Sequence, residues 1–128
     1  MPQRDVLVVD DDAEINELVG AYAGLAGFGY AAALDAASGL RQAVERSPSL
    51  IVLDLMLPDA SGLDVCRQLK GDDRTAAIPV VMLTALDRDE QRRQLREAGA
   101  VAYMIKPFDP DALMDAMRAH ALGTGQAG

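Results

Sequence analysis

Cysteine is nearly absent from this chain: Cys66 is the single one in 128 residues. No internal disulfide can form, and one thiol suits a reducing cytoplasm. Long apolar runs are missing too; none approaches the roughly 20 residues that cross a bilayer. The start Met1-Pro2-Gln3-Arg4-Asp5 passes at once into a strand-like run, which is not the pattern of a signal peptide. Basic residues are few: 12 Lys and Arg stand against 20 Asp and Glu, a net charge of -8. That balance argues against holding a phosphate backbone and fits a domain that binds a cation or another protein. The one histidine, His120, falls far along the last helix and reads as a surface residue. What is present, 50% hydrophobic and 25% charged residues, describes one ordinary globular domain with a real core.

Apolar runs and turn residues divide the chain. Val6-Leu7-Val8-Val9 reads as a first strand and ends in Asp10-Asp11-Asp12. A helical stripe follows at Ile15, Leu18, Val19, Tyr22, Leu25 and Ala26, and Gly27-Phe28-Gly29 stops it. Tyr30 to Leu34 is Ala-rich and is placed as an edge strand. Ser38 is the expected cap of a second helix, with Leu40, Ala43 and Val44 inward and Pro48 beyond its end. Leu50 to Pro58 is an apolar run with one carboxylate, Asp54, set into it. Such a run reads as a strand buried on both faces. A charge there demands compensation, unless the Asp merely caps the next turn.

Ser61-Gly62 lead into a third helix with Leu63, Cys66 and Leu69 inward, and residues 71–77 form a polar loop. Pro79 to Leu83 is the fourth strand, ending at Thr84-Ala85. Asp87 and Glu90 suggest a capping pair for a fourth helix anchored by Leu95 and Ala98. Gly99 ends it. Val101 to Ile105 is a fifth strand, and Asp109-Pro110 open a last helix with Leu113, Ala116 and Met117 inward. Residues 122–128 have nothing to pack and are expected to be a flexible tail or linker after a domain at 4–121. Five strands alternating with five helices imply a doubly wound parallel sheet.

Ligands in such sheets sit beyond the carboxyl ends of the strands. Asp10 and Asp11 follow strand one, Asp54 closes strand three, Thr84 closes strand four and Lys106 closes strand five. Three carboxylates held together repel unless a cation intervenes. Oxygen ligands with room for water suit Mg2+. With Lys106 and the Thr84 hydroxyl alongside, these are the parts that stabilise a transferring phosphoryl group, and the carboxylate would be its acceptor.

The chain resembles the receiver domain of two-component response regulators from about Arg4 to His120. The resemblance is carried by Val8-Val9-Asp10-Asp11-Asp12, Leu53-Asp54-Leu55-Met56-Leu57-Pro58, Gly62, Leu83-Thr84-Ala85 and Lys106-Pro107-Phe108. It implies a flavodoxin-like (βα)5 fold with strand order 2-1-3-4-5. It implies that Asp54 accepts the phosphoryl group from a phosphohistidine on a sensor histidine kinase or phosphotransfer protein. Asp11, Asp54 and the Met56 carbonyl would ligate Mg2+, and Asp10 would act through bound water. Thr84, Ala85 and Lys106 would receive the phosphoryl oxygens, with Lys106-Pro107 as a cis peptide. Tyr103 would turn inward and carry the change to the face made by the fourth helix, fifth strand and last helix. That face would meet an unknown output domain or protein, or a second copy in a dimer. The resemblance thus implies a cytoplasmic signalling switch, not a turnover enzyme, limited to Mg2+-dependent gain and loss of its own phosphoryl group.

Departures accompany the resemblance. Met56 and Leu86 occupy positions that tune attack of water on the phosphoaspartate; both are apolar, implying slow loss of the group. Val101-Ala102 stand where many DNA-binding members carry two acids, leaving an apolar patch for a different partner. Arg92, Arg93 and Arg96 read better as a solvated face balanced by Asp89, Glu90 and Glu97 than as a docking stripe. Cys66 and the Met residues read as core filler. A phosphatase of the haloacid-dehalogenase type fits Asp10-x-Asp12 formally but lacks a later acidic pair and a cap domain. A phosphorylation-independent pseudo-receiver would have lost the acids or the Lys. A flavin site would need a phosphate-cradling loop after strand one.

Overall fold

Hydrophobic β-branched runs and amphipathic stretches alternate along the chain, and the computed structural model, which describes residues 4–85 and 88–121, turns that alternation into strands and helices. The order is β1 (Asp5–Val9), α1 (Ala13–Leu25), β2 (Gly29–Ala33), α2 (Ala36–Arg46), β3 (Leu50–Asp54), α3 (Gly62–Gly71), β4 (Val80–Thr84), α4 (Asp89–Glu97), β5 (Ala102–Ile105) and α5 (Pro110–His120). The five strands form one parallel sheet in the order β2-β1-β3-β4-β5. This is the flavodoxin-like topology expected for the chain.

Successive strand side chains point to opposite faces, so a strand covered on both sides must be apolar throughout. In β3 and β4 every residue is buried. Leu7, Val9, Ile51, Leu53, Val80 and Met82 pack on one face with Ala43, Val65, Cys66, Leu69, Leu95 and Ala98 of α2, α3 and the α4 segment. Val6, Val8, Leu50, Val52, Val81 and Leu83 pack on the other with Val19, Ala23, Leu113 and Met117 of α1 and α5. Each fully buried Leu, Ile or Val contributes about 1.5–3 kcal/mol relative to exposure. Ala-rich β2 lies at the edge as expected, and Gln42 of α2 covers it by donating to the Ala32 carbonyl at 3.0 Å.

Three local expectations are corrected. The buried stripe of α1 is Asn16, Val19, Gly20 and Ala23, whereas Leu18 and Leu25 are exposed. The small residues face the sheet because α1 lies close to it; the Tyr30 ring fills the space beside Gly20. The cap of α2 is Asp35, which accepts from the Ser38 amide at 2.8 Å, so Ser38 sits inside the first turn. Asp109 occupies the cap position of α5 with Pro110 next, but without a side-chain cap bond. The pairing expected of Asp87 with Glu90, like the tail, lies outside the described residues. Left-handed Gly27 and Gly99 close α1 and α4, each followed by a six-to-one bond, Phe28 to Ala23 and Ala100 to Leu95. Lys106-Pro107 is cis.

Helix α3 starts against the end of β3. The Gly62 amide donates to the Leu55 carbonyl at 2.6 Å, and a Cβ at Gly62 would strike the Asp54 carbonyl oxygen and lie 2.8 Å from the Leu55 Cα. Backbone atoms cannot yield there. Gly62→Ala should therefore lose about 1–3 kcal/mol in a urea unfolding series. Gly24→Ala, with open space at its Cβ, should be neutral or gain up to about 1 kcal/mol. Equal midpoints for the two variants would show that this approach is not tight.

Candidate functional site

Parallel strands deliver their carboxyl ends to one edge of the sheet, and the polar residues gather there. Asp10, just past β1, is 1% exposed, and Asp54, the last residue of β3, is 7% exposed. Asp10 is held on every side. Its amide donates to the Ala33 carbonyl at 3.1 Å. Its Oδ1 accepts from the Asp12 amide at 2.9 Å and its Oδ2 from Lys106 Nζ at 2.9 Å. Its carbonyl accepts from Asn16 Nδ2 at 2.9 Å.

Lys106, just past β5, also donates to Asp54 Oδ1 at 3.3 Å, so one ammonium bridges two buried carboxylates. Its own amide donates to the Thr84 carbonyl at 2.7 Å, which ties β5 to the end of β4. Asp11 is exposed at the mouth. One carboxylate oxygen from each of Asp10, Asp11 and Asp54 lies within 4.8 Å of the others.

The charges do not balance. Burial pushes the Asp54 carboxyl above its ordinary range, the Asp10 charge adds to this, and Lys106 and the backbone at Met56 only partly offset it. Burial works against the Lys106 ammonium. Its hydrogen bond with Asp10 and the charges of Asp54 and Asp10 outweigh that, and its pKa sits above the usual value. Like charges about 4–5 Å apart near a protein surface repel by about 3–4 kcal/mol. Three carboxylates and one ammonium leave a net negative pocket of oxygen donors, the donor set of a hard divalent cation.

Other expected residues are spread around this centre. Thr84 is buried at the end of β4, and its hydroxyl donates to Gln91 Oε1 of α4 at 3.3 Å. Ala85 is exposed beside it. Met56 stands two residues past Asp54 with its side chain outward, in a loop closed by a bridge to Ser61. Tyr103, on β5, lies outside the acidic group; it is half-buried, with the Arg92 guanidinium 5.6 Å from its ring centroid. Leu86 lies outside the described residues. Arg92 pairs with Asp89 and Arg93 with Glu90, as a solvated helix face would. Cys66 is buried, its thiol aimed at the Ala98 carbonyl.

Sequence reasoning missed Asn16 and Gln91. Asn16 Nδ2 bonds two carbonyls, those of Asp10 and Ala33, while its Oδ1 is buried without a partner. The readable signal was a polar residue in phase with Val19 and Ala23. Gln91 carries no such signal, since nothing in the pattern of α4 marks it as facing Thr84.

A buried carboxylate with a raised pKa destabilises the fold when ionised, and the cost disappears as pH falls through that pKa. In Mg2+-free buffer at pH 7, Asp54→Asn should therefore melt above the unsubstituted chain by calorimetry. Adding Mg2+ at 100 times its Kd should stabilise the unsubstituted chain by about 2.7 kcal/mol and leave Asp54→Asn nearly unmoved. A variant that melts lower, or gains equally from Mg2+, would contradict this electrostatic picture.

Comparison with known proteins agrees with the geometry. Residues 6–118 match the family model of the response regulator receiver domain. The chain is 43% identical over 114 residues to the DNA-binding dual master transcriptional regulator RpaA of Synechocystis sp., covering 89% of this chain and 47% of that protein. It is 42% identical over 116 residues to the phosphate regulon transcriptional regulatory protein PhoB of Escherichia coli, covering 91% and 51%. It thus spans about half the length of these curated relatives. Response regulator DrrB, an OmpR/PhoB homologue of Thermotoga maritima, superposes with a TM-score of 0.81 at 33% identity, over 91% of this chain and 52% of that one. The chemotaxis protein CheY4 of Vibrio cholerae superposes with a TM-score of 0.86 at 24% identity, over 92% and 98%, a likeness of fold. The chain belongs to the receiver domain family of two-component response regulators.

Proposed function

We propose that this receiver takes a phosphoryl group from a phosphohistidine, on a sensor histidine kinase or phosphotransfer protein, onto Asp54. The observation that carries the reading is the Lys106 ammonium shared between Asp10 and Asp54, with Asp11 in reach of both. An Asp54 oxygen attacks phosphorus, the phosphorus–nitrogen bond breaks, and the imidazole leaves with the electron pair. Asp10, Asp11, Asp54 and the Met56 carbonyl would hold Mg2+, which when bound neutralises carboxylates and phosphoryl oxygens together. Lys106 transfers its hydrogen bond from Asp54 to a phosphoryl oxygen. The Thr84 hydroxyl does the same, leaving Gln91.

The phosphatase reading is weaker on the same geometry. Asp10 would have to be its nucleophile, yet both Asp10 carboxylate oxygens are engaged and the residue is 1% exposed. The chain is thus a switch and not a turnover enzyme. Its output runs through α4, β5 and α5. Leu95 is the one buried residue of α4, so this helix shifts at low cost. Arg92, Leu95, Arg96, Val101 and Tyr103 line a cavity of about 420 Å3 beside it. A partner protein, an output domain or a second copy would read that face. The net charge of -8 disfavours direct nucleic-acid contact by this domain. Among the described residues no helix is long and apolar enough to cross a membrane, in keeping with work in the cytoplasm.

Incubation with Mg2+ and acetyl phosphate, followed by mass spectrometry, should add one phosphate to the unsubstituted chain and none to Asp54→Ala. An unlabelled chain, or equal labelling of the variant, would end this reading. Apolar Met56 and Leu86 cannot hold an attacking water, so the phosphorylated form should be long-lived, and Met56→Asn or Leu86→Glu should shorten its half-life. Unchanged decay in both variants would remove these residues from the control of lifetime.

A further inference from the structure

The loop from Leu55 to Ser61 is tied to itself and, at its tip, to α2. The ties to itself are the Gly62 amide on the Leu55 carbonyl, the bridge between Met56 and Ser61, and the Leu57 amide on the Ala60 carbonyl at 3.3 Å. The tie to α2 is made by one side chain. Asp59 is exposed, yet both of its carboxylate oxygens are engaged, Oδ1 by the Ala36 amide at 2.8 Å and Oδ2 by the Ala37 amide at 3.0 Å. Ala36 and Ala37 open α2, where amides have no partner within their own helix and the helix dipole favours an anion. The helix's own cap, Asp35, reaches Ser38. These two amides hold the Asp59 carboxyl below its usual range. The contact joins a loop to a helix more than twenty residues earlier in the chain.

We propose that Asp59 is a positioning residue for the cation site: by gripping the start of α2 it fixes the loop that carries Met56. This rests on the reading above, in which the Met56 carbonyl is a ligand beside Asp11 and Asp54. Released from α2, the tip at Leu57–Ala60 keeps the Leu57 amide on the Ala60 carbonyl at 3.3 Å and its packing on the core, but it loses its tie to the neighbouring helix, and the carbonyl at Met56 is held less firmly in its direction. Capping of α2 alone would make Asp59 a stabilising residue without effect on the cation. Asp35 separates the two roles, since its carboxylate caps the same helix from within, on the Ser38 amide.

The test is titration calorimetry of Mg2+ into the full chain and its Asp59→Ala, Asp59→Asn and Asp35→Ala variants. Loss of an outer partner typically weakens metal binding about 10–100-fold. Asp59→Ala should raise the Mg2+ Kd by about tenfold or more on that scale. Asp59→Asn, whose amide oxygen still accepts one bond, should fall between. Asp35→Ala should melt lower but bind Mg2+ as the unsubstituted chain does. With acetyl phosphate, Asp59→Ala should need more Mg2+ for half-maximal labelling and reach the same rate at saturation. An unchanged Kd in Asp59→Ala, or an equal loss in Asp35→Ala, would overturn the inference. Should Asp59→Ala fail to fold by circular dichroism, the Kd of Asp59→Asn decides in the same way. An unsubstituted chain that binds no Mg2+ overturns this inference together with the cation site. One that binds Mg2+ as described but is never labelled on Asp54 overturns the phosphoacceptor reading and leaves the role of Asp59 standing.

Discussion

A single ammonium between two buried carboxylates is the contact on which this fold edge depends. Lys106 reaches Asp10 at 2.9 Å and Asp54 at 3.3 Å across the sheet from the far strand end. Without it the two acids would be buried like charges, a costly arrangement that proteins relieve by protonation or by unfolding locally. With it, the site is tolerated yet underneutralised, since Asp11 adds a third carboxylate. The pocket is therefore stable enough to fold and negative enough to attract a cation.

Everything needed to place that ammonium is supplied by backbone regularity. Parallel register aligns Asp54 with Leu83 and Thr84 with Ile105, so the ends of β3, β4 and β5 are level to within one residue. The Lys106 amide on the Thr84 carbonyl then fixes where the side chain departs. Two apolar layers, one on each face, hold the sheet flat to its helices. Precision at the edge is a product of packing that lies well away from it.

Much of this was legible along the chain because it is periodic. Val6–Val9, Leu50–Leu53 and Val80–Leu83 are apolar on both faces and could be little else than central strands, and their polar terminators mark a common edge. The order of the strands is not periodic information, and came only through resemblance. Local capping was poorly legible: Ser38 proved to be inside a turn that Asp35 begins, and Asp109 stands at the cap position of α5 without a side-chain bond. The α1 stripe was legible at Ile15, Val19, Tyr22 and Ala26, which pack on the core, but it took in Leu18 and Leu25 for their size and passed over smaller residues between them. Asn16, Gly20 and Ala23 face the sheet where Leu18 and Leu25 do not. Asp59 and Gln91 were invisible for a different reason. Their partners are backbone amides and a hydroxyl brought near by tertiary structure, and no spacing rule encodes such pairs.

In the proposed switch, the slender anchoring of α4 bears on how much work one phosphoryl group would have to do. Moving a two-state equilibrium from 1:99 to 99:1 takes about 5.5 kcal/mol. The change of partner by one hydroxyl is worth about 0.5–1.5 kcal/mol. A helix docked by a broad apolar face would not answer to so small a force. A helix with Leu95 as its one buried residue costs little to shift, so in the proposed switch a weak input would suffice to move it. The same low cost would set a noise floor: thermal fluctuation alone would carry some molecules into the shifted arrangement, and a partner reading the α4 face would have to tolerate that background.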